Sequence, residues 1–321
     1  MPSLKEIKNR IASVNNTRKI TSAMKMVASS KLHHAQVMIE NMLPYEKMLE
    51  HILKTFLVSE ADAQTIYSVE RPVKRIAFVV YASNSSLCGG FNANILKMMQ
   101  QAIDEHMHLG KENIIIYPIG RKVAEKVAKL GVQSAGDFTD LAEKPNISQC
   151  IEISRELGKQ FAEGVFDRVE MIYHHFKSAG SQILTRKTFL PIDLTTELER
   201  DHERDLSSKL VTRQAQEYLR KRGEKEKKEA EATAPLNDNF IVEPDMNTIL
   251  GLLIPKMAHL MLYTALLDSN ASEHAARMVA MQTATDNADE LLRELNLQYN
   301  KSRQQAITSE LLDIVGGSVN N

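Results

Sequence analysis

The two ends of this chain repeat every seven residues, and that repeat constrains the fold more than any other feature. From Ile7 one set of rungs runs Ile7, Val14, Thr21, Ala28, Ala35, Met42, Leu49 and Phe56. Between them lie Ile11, Arg18, Lys25, Leu32, Ile39, Glu46 and Leu53. Eleven of the fifteen are apolar, and no glycine occurs before Gly89. At the other end Leu253, Leu260, Leu267, His274, Met281, Ala288 and Leu295 alternate with Met257, Thr264, Ala271, Met278, Thr285, Leu292 and Tyr299. Eleven of these fourteen are apolar. A 3.5-residue period sustained this long predicts left-handed coiled-coil helices. At 1.5 Å per residue the stretch from Met246 to Val315 would be about 105 Å long and the N-terminal helix about 85 Å, far beyond an ordinary globular helix. Because the two lie at opposite ends of one chain, the simplest pairing is antiparallel, with the middle looped out. Independent bundle helices or homodimeric coils are the alternative. Pro44 is expected to kink the first helix or end a turn. The polar rungs Arg18, Lys25, Glu46, Thr264, His274 and Thr285 weaken the seam and define its register.

Composition suits such seams. Aromatic residues are scarce, with 8 Tyr, 9 Phe and no Trp, whereas Met reaches 15. Unbranched Met, Ala and Leu pack well between helices and favour helix formation. The 40 basic and 41 acidic residues leave a net charge of −1, which gives no overall field to attract nucleic acid or an anionic membrane surface. Two cysteines, Cys88 and Cys150, indicate neither a disulfide framework nor a zinc site, and a reducing compartment is expected. The first ten residues, Met1 to Arg10, have no apolar stretch of the kind a secretory signal needs. No apolar run is expected to approach the ~20 residues of a spanning helix.

The middle changes character. Arg75 to Tyr81 and Ile114 to Ile119 read as buried strands, followed by helices from about Asn92 to Met107 and from Arg121 to Leu130. A further helix is expected from about Ser148 to Ala162, then strands at Val169–Phe176 and from Gln182. This alternation predicts a small α/β, Rossmann-like domain on a largely parallel sheet. From Glu197 to Asn239 the chain stands apart. Its run from Arg220 to Glu231 is nearly all charge and has no apolar face to bury, so it reads as a solvated helix or a disordered excursion. The expected organisation is therefore a coiled-coil helix over 1–58, the α/β domain over 73–196, the charged insertion over 197–239 and a second coiled-coil helix over 240–321.

Little in the chain suggests chemistry. Leu87-Cys88-Gly89-Gly90-Phe91-Asn92 lies after a strand and before a helix, where a Gly-rich turn can cradle phosphate. The Walker Lys-Ser/Thr pair and the three-glycine dinucleotide pattern are both missing, so a tight turn is the plainer reading. Cys88 sits where a thiol could be activated, with no His and acid placed by sequence to do so. His33-His34 and His174-His175 are adjacent pairs whose side chains diverge, so neither forms a two-ligand metal face. No catalytic residue, cofactor or metal site is expected. The apolar end Leu311-Leu312-Asp313-Ile314-Val315 is unusual, because a terminus left in water should be polar.

Several long strings carry a family resemblance. Ile11-Ala12-Ser13-Val14-Asn15-Asn16-Thr17-Arg18-Lys19-Ile20-Thr21-Ser22-Ala23-Met24-Lys25-Met26-Val27-Ala28 is similar to the N-terminal helix of the gamma subunits of F-type ATP synthases. Ala271-Ser272-Glu273-His274-Ala275-Ala276-Arg277-Met278-Val279-Ala280-Met281, Thr285-Asp286-Asn287-Ala288 and the stretch from Tyr299 to Glu310 resemble the C-terminal helix of that family. The resemblance implies a non-catalytic rotor shaft inside a ring of alpha and beta subunits, with an epsilon subunit and a membrane rotor ring as further partners. It implies no nucleic-acid partner and no small-molecule substrate. The expected place is the cytoplasmic face of a bacterial inner membrane, as a peripheral component of a proton-translocating complex. By the same resemblance Arg303 and Gln304 contact a beta-subunit loop, Leu311, Leu312, Ile314 and Val315 form a tip turning in an apolar bearing, and Phe240 and Glu243 touch the membrane ring. Asn84-Ser85-Ser86 departs from the family, which usually has a charged residue before its Leu-Cys-Gly. The 197–239 segment is longer than in most bacterial members and holds no cysteine, which excludes a dithiol switch there. The alternative from a different class is a ligand-binding α/β protein whose helices serve oligomerisation, with its ligand at Leu87–Asn92.

Overall fold

The computed structural model describes residues 3–59, 66–192, 243 and 245–319. The charged insertion over 197–239 and Phe240 lie outside the described residues. Two compact units are present, one formed by Met1–Ala28 with Arg277–Asn321 and the other by Ser29–Ala276.

Helix α1 spans Leu4–Ser59 and begins at a capping box. The Glu6 N–H donates to Ser3 Oγ and the Ser3 N–H donates to Glu6 Oε2, which satisfies two donors that the first turn would otherwise leave open. Every rung of the seven-residue ladder from Ile7 to Leu53 is buried or half-buried. Pro44 lies exposed inside continuous α1, and Glu46, Leu49, Glu50 and Leu53 beyond it are buried. One lost backbone bond on the solvent side is outweighed by burial on the other.

Within the smaller unit the two helices run antiparallel. Helix α6, Met246–Val319, supplies the second strand of the coil. Arg18 Nη1 donates to Asp289 Oδ1 at 2.9 Å, and the Thr21 and Thr285 hydroxyls are hydrogen-bonded at 2.9 Å. Numbering rises along α1 as it falls along α6, and two of the polar rungs, Thr21 and Thr285, meet each other. A polar pair inside an apolar seam is satisfied in only one alignment, so these contacts fix the register.

The larger unit is built on a five-stranded sheet. Its strands are β1 (Ile76–Tyr81), β2 (Ile114–Ile119), β3 (Gln133–Ser134), β4 (Arg168–Ser178) and β5 (Ser181–Leu190), in the order β3-β2-β1-β4-β5. The first four are mutually parallel, and β5 returns antiparallel to β4. Helices α2 (Phe91–Glu105), α3 (Arg121–Leu130), α4 (Thr139–Glu143) and α5 (Ile147–Ala162) complete it. All six residues of β1 are buried, as a central parallel strand covered on both faces requires. One core packs Ile76, Phe78 and Val80 of β1 against Ile95, Met99 and Ile103 of α2 and Val123 and Val127 of α3. Gly120, between β2 and α3, has φ +108°, and a Cβ there would stand 2.1 Å from the Ala82 carbonyl oxygen. Only glycine lets the turns after β1 and β2 pass this closely.

The same unit treats α6 differently from a coiled-coil strand. From Met257 to Ala275 every residue except His259, Thr264 and Asn270 is buried. A helix covered on nearly every face belongs in a core, not on a single seam, and Asp268, Ser269, Ser272, Glu273 and His274 are buried along with its apolar residues. This also explains an unexpected property: α6 contains a stretch long and apolar enough to cross a membrane by length and composition, where the sequence reading expects none. Those side chains are largely buried within the protein.

A charged cluster ties three elements of this unit together. Arg186 of β5 donates through Nε to Glu170 of β4 at 2.6 Å and through Nη1 to Glu105 of α2 at 2.5 Å. Glu170 is only 5% exposed, and its carboxylate is held chiefly by Arg186, with Arg168 Nε more distant at 3.9 Å from the other oxygen. Replacing Arg186 with Met should strand a buried charge and destabilise this unit by about 3 kcal/mol, read as a lowered thermal midpoint. The double variant with Glu170→Gln should recover much of that loss.

Candidate functional site

The turn that looked most like a ligand site is closed on itself. Asn92, in the first turn of α2, donates from Nδ2 to Ser83 Oγ at 2.8 Å, to Cys88 Sγ at 3.1 Å and to the Ser85 carbonyl at 3.2 Å. Its Oδ1 accepts from the Ser83 N–H at 3.1 Å. Gly89 takes φ +59°, and Leu87 takes φ +68° with its side chain exposed. The polar groups of this turn are thus spent on holding its shape. Cys88 is buried, and burial pushes the Cys150 thiol up to about 12, far from the range of a reactive thiolate.

The adjacent histidines separate as strand geometry demands. His33 and His34 both lie exposed on α1. On β4, His174 stacks on Phe91 with ring centroids 4.5 Å apart, while Nδ1 of His175 meets Asp268 Oδ2 of α6 at 2.6 Å. Among the described residues no group of three or more His, Cys, Asp or Glu side chains could hold a metal ion. A cleft of about 320 Å³ between α4 and α5 is lined by Asp137, Asp140, Glu152 and Glu156 with Phe138 and Gln149. Four carboxylates around one opening repel phosphate, so this cleft does not suit a nucleotide.

What the molecule offers instead is an exposed surface on the smaller unit. Arg303 and Gln304 are exposed on α6, and the Gln304 carbonyl accepts from the Thr308 hydroxyl within the helix. Leu311 and Leu312 follow two turns later, 57% and 65% exposed. These four lie within about 13 Å along one helix at 1.5 Å per residue. Ile314 and Val315 continue α6, and their side chains lie outside the described residues. Glu243 is exposed and belongs to the larger unit.

Sequence reasoning missed a further part of this surface. Ile20, Met24 and Val27 are exposed on α1, spaced four and three residues apart and so aligned on one face. Met26 on α1 and Val279, Leu297 and Ile307 on α6 are exposed as well, Leu297 at 72%. The signal was present as apolar residues off the rungs of the ladder, which a tally of rungs alone does not register. Apolar exposure of this extent on a helical pair marks a surface that a partner covers.

His174 supplies a pH-dependent element of stability. It is buried, its Nδ1 has no hydrogen-bond partner among the described residues, and burial pushes its pKa down to about 4. Unfolded, the imidazole would take its proton near the ordinary value of about 6.5. The folded state therefore holds its full stability above that pH and loses it as pH falls towards 4, by roughly 3 kcal/mol in all. His174→Phe keeps the stacking and removes the proton site. Thermal unfolding at pH 7 and pH 4.5 should show a smaller acid loss in the variant than in the parent.

Comparison with known proteins gives consistent results. A family model described as ATP synthase matches residues 3–319. The ATP synthase gamma chain of Phocaeicola vulgatus is 52% identical over 319 residues, covering 99% of this chain and 100% of that protein. That of Bacteroides thetaiotaomicron is 50% identical with the same coverage. Among solved structures, a chain of the rotor of the Euglena gracilis mitochondrial ATP synthase is similar in fold, with a TM-score of 0.57 and 17% identity, covering 95% of this chain and 98% of that one.

Proposed function

This chain belongs to the ATP synthase gamma-chain family, and we propose that it is the central rotor shaft of a proton-translocating F-type ATP synthase. The observation that carries this reading is the full-length match at 52% identity to a gamma chain. The exposed apolar stripes on an antiparallel helix pair agree with it. The chain has no active site of its own. It couples rotation of a membrane ring to ATP synthesis or hydrolysis on the alpha and beta subunits, with an epsilon subunit as a further partner. A shaft acts on a catalytic site by touching one conformation more favourably than another, which shifts populations without chemistry at the point of contact.

Within this reading Arg303 and Gln304, exposed side by side on α6, form the catch for a beta-subunit loop. Arginine suits that task because its planar fork can hold a carboxylate or carbonyl at two points. Leu311, Leu312, Ile314 and Val315 form the tip that turns in an apolar bearing. Phe240 and Glu243, the latter exposed just before α6, contact the membrane ring. As a subunit of such a complex the chain is associated with a membrane-bound assembly. Its relatives named above are bacterial, which supports the cytoplasmic face of the inner membrane as its place.

Co-expression with the alpha and beta subunits of the same organism, followed by size-exclusion chromatography and an ATPase assay, tests the reading. One copy of this chain should co-elute with each alpha–beta ring and raise its ATPase activity. Elution alone as a folded oligomer, with activity of the ring unchanged, would overturn it. In the assembled complex Arg303→Ala should lower coupled turnover several-fold while shifting stability by no more than about 0.5 kcal/mol, since an exposed helical side chain contributes little to folding.

A further inference from the structure

Between Leu262 and Ser272, α6 is held to the α/β layer by directional contacts as well as by packing. The hydroxyl of Tyr81, on β1 and fully buried, donates to the Leu262 carbonyl at 3.1 Å. Asp268 Oδ2 meets His175 Nδ1 of β4 at 2.6 Å. Asn270 Nδ2 donates to the Ala142 carbonyl of α4 at 3.0 Å, and Ser272 Oγ donates to the His174 carbonyl at 3.3 Å. Three elements, β1, β4 and α4, thus grip three turns of one helix.

The grip comes from two sides. At 100° per residue Asp268 and Ser272 stand about 40° apart around α6, both towards β4, and Asn270 stands about 160° from Asp268, towards α4. Apolar packing resists movement of a helix through interlocked shape but has no preferred direction of its own, so directed contacts add a separate constraint. Hydrogen bonds weaken steeply when misaligned. Contacts on two sides of the helix therefore oppose rotation of α6 about its own axis and translation along it.

One contact differs from the others. The bonds to Tyr81, Asn270 and Ser272 each end on a backbone carbonyl, whereas His175 and Asp268 meet side chain to side chain. Asp268 is 1% exposed, so its carboxylate cannot exchange this partner for water as α6 turns. The contact is short and joins two side chains across the layer, so it is broken outright by a change at either residue.

We propose that His175 and Asp268 form a torque latch: a positioning pair that makes α6 turn with the α/β layer, so that rotation delivered to the layer reaches the shaft without slip. The proposal rests on the shaft reading above. Neither residue touches nucleotide or a transported ion; both act by fixing α6.

The test uses the complete ATP synthase in inverted membrane vesicles, with ATP hydrolysis and ATP-driven proton uptake measured per assembled complex. Asp268→Ala and His175→Ala should each leave hydrolysis within about twofold of the parent while lowering proton uptake about fivefold or more, and the double variant should lose no more than either single one, as a coupled pair requires. The exchanged pair, His175→Asp with Asp268→His, should restore at least half of the lost uptake, and Asp268→Asn should fall between the parent and Asp268→Ala. A pair that merely supports folding would lower the amount of assembled complex, or lower hydrolysis and uptake in the same proportion, and either result overturns the latch. So does a complex in which all variants pump as the parent does. If the unaltered chain supports no proton uptake in these vesicles, the shaft reading fails first, a result distinct from any obtained with the variants.

Discussion

Everything in this chain hangs on two helices from its opposite ends meeting in one register. Closing a loop of some 260 residues costs on the order of 5 kcal/mol in chain entropy, a cost that grows only slowly with length. The seam between the helices is rich in alanine at Ala28 and Ala288, and small apolar residues alone would tolerate a slip of one heptad. Thr21 with Thr285 removes that freedom, because a slip of one heptad would set each hydroxyl against Val14, Ala28, Met278 or Leu292, and Arg18 with Asp289 adds an ion pair at the same alignment. The polar rungs weaken the seam locally, and in return the seam has one alignment.

The long elements were legible from the sequence because their signals are repeated many times over. Fifteen rungs at one end and fourteen at the other outvote any single exception, including Pro44 and Pro255, both of which lie inside continuous helix. The runs at Ile76–Tyr81 and Ile114–Ile119 were legible for a different reason: a strand buried on both faces has to be apolar throughout. The short β3 and α4, of two and five residues, carry too few positions for a period to declare itself. The antiparallel return of β5 is set by the tight link from Ser178 to Ser181, whose consequence is a pairing direction and not a pattern of hydropathy.

The candidate site was harder to read than the fold, for a physical reason. Partner surfaces on a coiled coil consist of residues that the coil itself does not use, so they appear as exceptions to the repeat. Ile20, Met24 and Val27 fall between rungs and are conspicuous only once the structure leaves them uncovered. The same limit hides His175. On sequence it is half of an adjacent pair with no shared chemistry, and alternation along β4 sends its neighbour to Phe91 and itself to Asp268, 93 residues away. Such long-range meetings are products of the fold and leave no local trace.

The two treatments of α6 bear on how a shaft can work. Around Met257–Ala275 the helix is buried on nearly every side and pinned by polar contacts, so the larger unit grips it as a core holds its central element. Beyond Arg277 only one seam is covered, and leucine and isoleucine side chains stand in the open at Leu297, Ile307 and Leu311. A two-helix pair has too little interior to bury apolar residues on both flanks, so those flanks gain only when something else closes over them. An open apolar flank makes contact without demanding a fixed direction, whereas the pinned segment is held by directed contacts. A rotor shaft has to be gripped where it is driven and to pass successive partners where it acts, and this chain carries both kinds of surface on a single helix, burying one stretch on nearly every side and leaving apolar flanks of another open.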